Sequence, residues 1–319
     1  MSRVVVTGRI PQVALDSLRG EHEVSGWDST EQISRAELLS RVGGADAILS
    51  LLTERIDGEV LDAAGEQLQV VANVAVGYNN VDVVACRERG VIVTNTPDVL
   101  TEATADIAMG LILMVTRRLG EGERVIRRRE PWQWGMSYLL GSGLQGKTLG
   151  IIGLGGIGAA TARRARAFGM RIVYCSRSAA APGLAQELEA ARMELDELLT
   201  EADVVSVHCP YSDVTHHLIG AEQLSRMKDS SYLVNTARGP ILDEEALATA
   251  LTSGTIAGAG LDVFEREPAV HEGLLDLDNV VLVPHLGSAT VETRTAMASL
   301  AADNALAVLR GQDPPTPVR

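Results

Sequence analysis

At 319 residues the chain is long enough for two domains, each with a core of its own. A formal charge of −14 excludes nucleic acid and anionic membrane as main partners, although a local arginine can still hold a small anion. The longest apolar run in the middle, residues 107–115, is too short to span a bilayer, and Ser2-Arg3 leads straight into an apolar run without a leader pattern. Cys86, Cys175 and Cys209 form no C-x-x-C pair, which fits reduced thiols, and the expectation is a soluble cytoplasmic protein.

In chain order, short apolar runs read as buried strands at residues 4–7, 47–52, 68–73 and 91–95. Helical patterns lie between them near residues 12–19, 35–42, 59–64 and 81–89. Strands without polar alternation, separated by helices, predict a parallel sheet covered on both faces. Thr96-Pro97 ends this first unit, because proline disfavours helix in the residue before it.

A long helical pattern then starts near Thr101 and runs towards Arg129. Its distal arginines (Arg117, Arg118, Arg124, Arg127, Arg128, Arg129) form either a docking patch or, in so acidic a chain, a solvated face paired with carboxylates. Trp132, Trp134 and Tyr138 follow in a glycine-punctuated loop, where a subunit contact, a pocket rim and plain core packing all remain open.

Residues 147–178 organise the rest. Gly153, Gly155 and Gly158 make a G-x-G-x-x-G between a short apolar run (149–152) and a segment of helical periodicity. A second buried strand follows at 171–175. Strand, glycine turn, helix, strand is the context of a dinucleotide-binding turn. The first glycine permits the turn, the second lets backbone approach a pyrophosphate, and the third packs helix on strand; free N–H groups and the helix dipole then face the phosphates.

Just past the second strand an NAD site places an acid on the ribose 2′-hydroxyl, about twenty residues after the fingerprint. Here the sequence reads Cys175-Ser176-Arg177-Ser178. Arg177 can fork onto a 2′-phosphate and the serines can donate to it, so NADP(H) is the expected cofactor, with NAD(H) the alternative. Arg177 stacked on adenine or turned to water is the competing reading.

Beyond this point strands are expected at 203–208, 232–236, 258–263 and 280–283. Helices are expected near 184–199, 222–227, 244–253 (capped by Asp243) and 291–310. N-T-A-R-G-P places Arg238 after one strand, D-V-F-E-R-E-P places Glu267 after another, and V-P-H-L-G-S-A-T places His285 after a third. Ligands of open α/β sheets bind outside the carboxyl ends of strands, so these three can converge near a nicotinamide. His216-His217 is read as surface or loop, since adjacent residues in extended chain point apart and no further ligand spacing completes a metal site.

With these motifs in place, the chain resembles the D-isomer-specific 2-hydroxyacid dehydrogenase family, and most closely its glyoxylate/hydroxypyruvate reductase branch. The resemblance spans nearly the whole chain, including N-V-A-V-G-Y-N-N-V-D (73–82), T-E-A-T-A-D (101–106), L-Q-G-K-T-L-G-I-I-G (144–153) and H-L-G-S-A-T-V-E-T-R from His285. It implies an α/β chain of two doubly wound parallel-sheet domains with an interdomain cleft. A discontinuous flavodoxin-like substrate domain (1–99 and 286–319) would accompany a Rossmann cofactor domain (100–285).

The same resemblance implies that His285 is the general acid in reduction, that Glu267 fixes its tautomer and favours imidazolium, and that Arg238 binds the substrate carboxylate. Leu52 and the backbone of Val76 and Gly77 would meet the substrate. Thr104, Leu154, Gly156, Ile157, His208, Cys209, Pro210, Thr215, Thr236, Ala237, Asp262, Gly287 and Ser288 would lie along the cofactor, with the fingerprint glycines, Ser176 to Ser178, Arg238 and His285. One departure is Gly156, where the family often carries Arg or Lys.

The implied partner is a small 2-keto or 2-hydroxy acid, and the implied assembly a homodimer. D-3-phosphoglycerate or another D-2-hydroxyacid is the alternative substrate. A dinucleotide-sensing corepressor is the alternative of another class, although its long extensions are missing. The formate branch carries glutamine where Glu267 stands and is disfavoured.

Overall fold

The computed structural model describes residues 1–318, and the chain forms two compact units, one of Met1–Leu100 together with the stretch that begins at Ser288, the other of Thr101–Gly287. In the smaller unit β1 (Arg3–Val6), α1 (Gln12–Arg19), β2 (Glu23–Gly26), α2 (Arg35–Val42), β3 (Ala47–Ser50), α3 (Gly58–Ala64), β4 (Val70–Asn73), α4 (Val83–Glu88) and β5 (Ile92–Thr94) alternate. The five strands are parallel in the order β2-β1-β3-β4-β5, the doubly wound order whose switch point lies between β1 and β3. Each of β3 and β4 is buried along its whole length, which is why neither shows polar alternation. β2 escaped the sequence reading because Glu23-Val24-Ser25-Gly26 is an edge strand with no buried residue.

The larger unit begins with α5 (Thr101–Thr116) and α6 (Leu119–Arg127). The single helix expected from Thr101 to Arg129 is therefore broken: Arg118 takes a left-handed φ of 53°, and α6 buries no residue whereas α5 buries Ala105, Ala108, Leu111, Ile112 and Val115. Then come β6 (Thr148–Ile152), α7 (Gly156–Ala167), β7 (Arg171–Cys175), α8 (Leu184–Glu187), β8 (Ala191–Arg192), α9 (Leu195–Glu201) and β9 (Val204–Val207). One helix was expected over 184–199; Glu189, at φ 48°, breaks it, and β8 then pairs with β7.

The remainder is α10 (Ala221–Arg226), β10 (Tyr232–Asn235), α11 (Glu244–Ser253), β11 (Gly258–Leu261), α12 (Glu272–Leu275) and β12 (Val280–Leu282). Asp243 caps α11 by accepting from the Ala246 N–H at 2.9 Å. All seven strands are parallel, in the order β12-β11-β10-β9-β6-β7-β8, with the switch point between β6 and β9. After this unit α13 (Val291–Leu309), capped by Thr290, returns to the smaller unit and lays Ala298, Ala301, Ala302 and Ala305 on the core with Val4, Val6, Leu49 and Val70.

Among the described residues no helix is long and apolar enough to cross a membrane. The arginines after α5 do pair with acids: Arg118 with Glu121, Arg127 with Glu123, and Arg124 with Asp278. Trp132 and Trp134 are not core residues of this chain, being 51% and 81% exposed; Trp132 stacks on Tyr138 with ring centroids 6.2 Å apart.

Candidate active site

At the switch point of the larger sheet, β6 runs into the glycine turn and α7. Gly153 takes φ +97°, and a Cβ there would stand 2.6 Å from the Cys209 nitrogen, inside contact distance. A Cβ on Gly158 would stand 2.3 Å from the Gly153 carbonyl oxygen, so only glycine allows α7 to seat this closely. A Cβ on Gly155 would meet nothing within 4 Å, leaving that backbone open to an approaching group.

The turn's helix end is chemically open as well. Intrahelical bonding begins with the Ala159 N–H to the Gly155 carbonyl, and no side chain caps the N-terminus. The first-turn N–H groups therefore lack intrahelical acceptors and point their partial positive charge out of the helix. An open glycine face beside uncapped N–H groups fits the pyrophosphate of a dinucleotide. Gly156, where the resembled family often carries Arg or Lys, is the first residue of α7 and offers only backbone to the turn.

Past β7, the Ser176 hydroxyl accepts from the Leu154 N–H at 3.3 Å, tying the end of one strand to the turn of the next. Arg177 and Ser178 are exposed on the same loop, and no acid follows Cys175 there. After β9, His208 is largely buried; its Nε2 sits 2.8 Å from the Ser206 hydroxyl, and burial pulls its pKa down to about 4. Burial pushes the Cys209 thiol up to about 11, which makes it an unreactive neutral group at physiological pH. Thr215 is spent on its own loop, donating to the Pro210 carbonyl at 2.9 Å and accepting from the Ser212 N–H at 2.8 Å.

The stretches carrying Arg238, Glu267 and His285 follow β10, β11 and β12 at the carboxyl edge of one sheet. The turn after β10 is held by buried Asn235, whose amide donates to the Arg238 carbonyl and whose oxygen accepts from the Ala237 N–H, both at 2.9 Å. Thr236 is buried beside it. Gly239 follows because a Cβ there would lie 1.8 Å from the Phe264 carbonyl carbon. That close approach brings the Arg238 turn against the stretch leading to Glu267. The Arg238 Nη1 donates to the Ala237 carbonyl at 2.7 Å. Burial draws the guanidinium's pKa down, and the charge of Glu267 resists this.

His285 Nδ1 and Glu267 Oε2 stand 2.8 Å apart, with side-chain exposures of 32% and 36%. The other Glu267 oxygen, Oε1, accepts from the Phe264 N–H at 3.0 Å. Burial works against the Glu267 charge, but the bond from His285, that residue's positive charge and Arg238 outweigh it, and the carboxyl lies below its ordinary range. An ionised carboxylate can only accept, so Nδ1 carries the proton and Nε2 is left for another partner.

His285 holds φ +51°, a left-handed conformation that costs a non-glycine residue on the order of 1–3 kcal/mol. Buried Asp262 holds this backbone in place: its carboxylate accepts from the Leu286 N–H and, at 2.7 Å, from the Gly287 N–H, while its carbonyl accepts from the His285 N–H at 2.9 Å. Burial raises the Asp262 pKa and these N–H bonds pull it back. Asp262 thus supports the histidine turn. Gly287 is closely covered, with a would-be Cβ 3.2 Å from Asp262 Oδ2 and 3.3 Å from Thr104 Cγ2.

The sequence reading passed over the supports of this site. Glu244 and Glu265 exchange bonds, each backbone N–H donating to the other's Oε1 at 2.8 Å, and this braces the approach to Glu267. His217 Nε2 lies 3.3 Å from Glu265 Oε1. The expectation that His216 and His217 point apart is wrong: their rings stack with centroids 4.1 Å apart, because His217 takes φ 48° and is not extended. His271 caps α12 by accepting from the Gly273 N–H.

In the smaller unit Leu52 follows β3, and Val76 and Gly77 follow β4, at the carboxyl edge of that sheet. Their backbone is fixed by amides: Asn95 Nδ2 donates to the Val76 carbonyl at 2.8 Å, Asn73 Nδ2 to the Gly77 carbonyl at 2.9 Å, and Asn80 Nδ2 to the Leu51 carbonyl at 3.0 Å. Ser288 opens the return to this unit, its carbonyl accepting from the Thr290 N–H at 2.8 Å.

Comparison with known proteins agrees with this geometry. Residues 109–287 match the family model of the D-isomer specific 2-hydroxyacid dehydrogenase NAD binding domain. A glyoxylate reductase of Thermococcus onnurineus is 49% identical over 98% of this chain and 95% of its own length. The crystal structure of a protein from Thermus thermophilus superposes with a TM-score of 0.92 at 47% identity, covering 99% of this chain and all (100%) of that one. An NADPH-dependent glyoxylate/hydroxypyruvate reductase of Sinorhizobium meliloti, solved with NADP and malonate, gives a TM-score of 0.86 at 37% identity, covering 99% of this chain and 96% of that one. This chain is an oxidoreductase with a nicotinamide-dinucleotide-binding domain, and it belongs to the D-isomer specific 2-hydroxyacid dehydrogenase family.

Proposed function

We propose that the enzyme reduces glyoxylate and hydroxypyruvate to glycolate and D-glycerate, with NADPH preferred over NADH. The observation that carries this reading is the 2.8 Å contact of His285 Nδ1 with Glu267, beside a largely buried arginine at the neighbouring strand end. The cofactor, when bound, supplies the hydride. Everything else falls to side chains and backbone of this chain.

Arg238 receives the substrate carboxylate and draws electron density from the keto oxygen. Leu52 and the backbone of Val76 and Gly77 remain proposed substrate-binding residues of the smaller unit. His285 gives its Nε2 proton to the keto oxygen as the carbonyl carbon gains hydride, so C=O becomes CH–OH. Glu267 stabilises the imidazolium before transfer and holds the ring's orientation through it. In the reverse direction neutral Nε2 takes the hydroxyl proton.

For the cofactor, Arg177 with Ser176 and Ser178 suits a 2′-phosphate, and the missing acid after β7 removes the usual partner of a free 2′-hydroxyl. The relatives named above as glyoxylate reductases, one of them NADPH-dependent, support the substrate and the cofactor alike. The exposed apolar side chains of Leu119, Ile126, Trp132, Trp134 and Met136 support a homodimer covering that segment. Free Cys86, Cys175 and Cys209 support a reducing, cytoplasmic setting.

The test is a panel of small 2-keto acids with each cofactor. Glyoxylate and hydroxypyruvate turned over with NADPH, at kcat/KM above that with NADH, is the expected result. Turnover confined to phosphorylated or long-chain acids would refute the substrate assignment, and no turnover at all would favour a sensor.

A further inference from the structure

Strand β8 lies parallel beside β7 at the sheet's edge, with Val173 opposite Ala191 and Tyr174 opposite Arg192. Arg192 is therefore the last residue of its strand, at the carboxyl edge where open α/β sheets take their ligands. Its Nη2 donates to the Ser176 carbonyl at 3.0 Å. Because Ser176 also accepts from the Leu154 N–H, Arg192, the end of β7 and the glycine turn form one hydrogen-bonded chain.

The neighbouring arginines have partners. Arg163 pairs with Glu187, Arg164 with Glu102 and Asp106, Arg166 with Glu189, and Arg171 with Glu201. Among the described residues no carboxylate pairs with Arg192 or with Arg177, and both are exposed. In a chain of net charge −14, two guanidiniums left without acids at the ends of two paired strands point to an anion from outside.

We propose that Arg192 is a second specificity-determining residue for the cofactor's 2′-phosphate, closing on it from β8 while Arg177 closes from the loop after β7. The inference rests on the NADPH reading above and adds the residue that completes it. A 2′-phosphate carries about two negative charges, which two guanidiniums match better than one. Arg192 has donors to spare after its single backbone bond, since a guanidinium carries five N–H groups.

Direct binding, without keto acid, decides the matter. Dissociation constants of NADPH, NADH and 2′,5′-ADP are measured for the wild type, Arg192→Ala and Arg192→Lys. Arg192→Ala is expected to weaken NADPH and 2′,5′-ADP roughly ten- to a hundred-fold and NADH no more than about twofold. Arg192→Lys should recover part of the loss by keeping the charge. Equal weakening of NADPH and NADH by Arg192→Ala would mean that the guanidinium only holds the Ser176 backbone, and would overturn the proposal. A wild-type preference for NADPH that survives Arg192→Ala overturns it too and leaves the NADPH reading standing. A wild type that binds NADH more tightly sinks the NADPH reading itself.

Discussion

The two sheets of this molecule are built alike, parallel and doubly wound, yet their carboxyl edges carry different chemistry. In the five-stranded unit three carbonyls of the edge are held by amides: Asn73, Asn80 and Asn95 hold those of Gly77, Leu51 and Val76. In the seven-stranded unit the edge is left open at Gly155 and charged at Arg238, Glu267 and His285. The same architecture therefore ends in amide-held carbonyls in one place and in an open glycine turn beside Arg238, Glu267 and His285 in the other. What distinguishes them is which residues end the strands.

Substitutions that act on one edge and spare the other sharpen the comparison. The largest effect on cofactor binding is expected of Gly158→Val, whose side chain would collide with the Gly153 carbonyl and push α7 off the turn. Titration should show more than about a hundred-fold loss of NADPH affinity; retained affinity would mean that the cradle lies elsewhere. Arg238→Ala should raise KM for glyoxylate and lower kcat, with kcat/KM falling on the order of a hundred- to a thousand-fold. A change in KM alone would limit Arg238 to ground-state binding.

Glu267→Gln should cost roughly ten- to a hundred-fold in the reduction rate at neutral pH, because the ring loses the carboxylate that orients it. The sign for stability follows from the lowered Glu267 pKa. A carboxyl depressed in the folded state stabilises the protein above its unfolded value, and that contribution is lost as pH falls through the folded one. The wild type's advantage over Glu267→Gln in thermal melts should thus shrink below about pH 4.5. An unchanged reduction rate would contradict the assigned pair.

The smallest effect on cofactor binding is expected at the other edge. Asn73→Ala removes a buried amide that bonds Gly77 and Ser50, and should cost about 1–3 kcal/mol of stability. NADPH affinity should be unchanged. An affinity loss comparable with that of Gly158→Val would erase the distinction between the two edges.

Much of this was legible in the sequence because buried parallel strands and glycine turns leave local signatures. The run Thr148–Ile152 is wholly buried and reads as apolar, and Gly153, Gly155 and Gly158 sit where steric contact demands or permits them. Arg238, Glu267 and His285 stand out in the sequence because each follows an apolar run, and each lies beyond a strand end in the structure. Features set by tertiary contact left no such mark. The break at Arg118 depends on the loss of a buried face after Thr116, and β8 is two exposed residues that only pairing with β7 makes a strand. The Glu244–Glu265 exchange and the stacked His216–His217 rings likewise join residues by backbone turns that no periodicity announces.

The central claim is that His285 delivers the proton while the glycine turn holds the cofactor independently of it. Glyoxylate-dependent NADPH oxidation and NADPH binding, measured side by side on His285→Ala, test it most directly. The account predicts turnover reduced on the order of a hundred- to ten-thousand-fold with the NADPH dissociation constant within about twofold of wild type. Near-normal kcat/KM in that variant would contradict it.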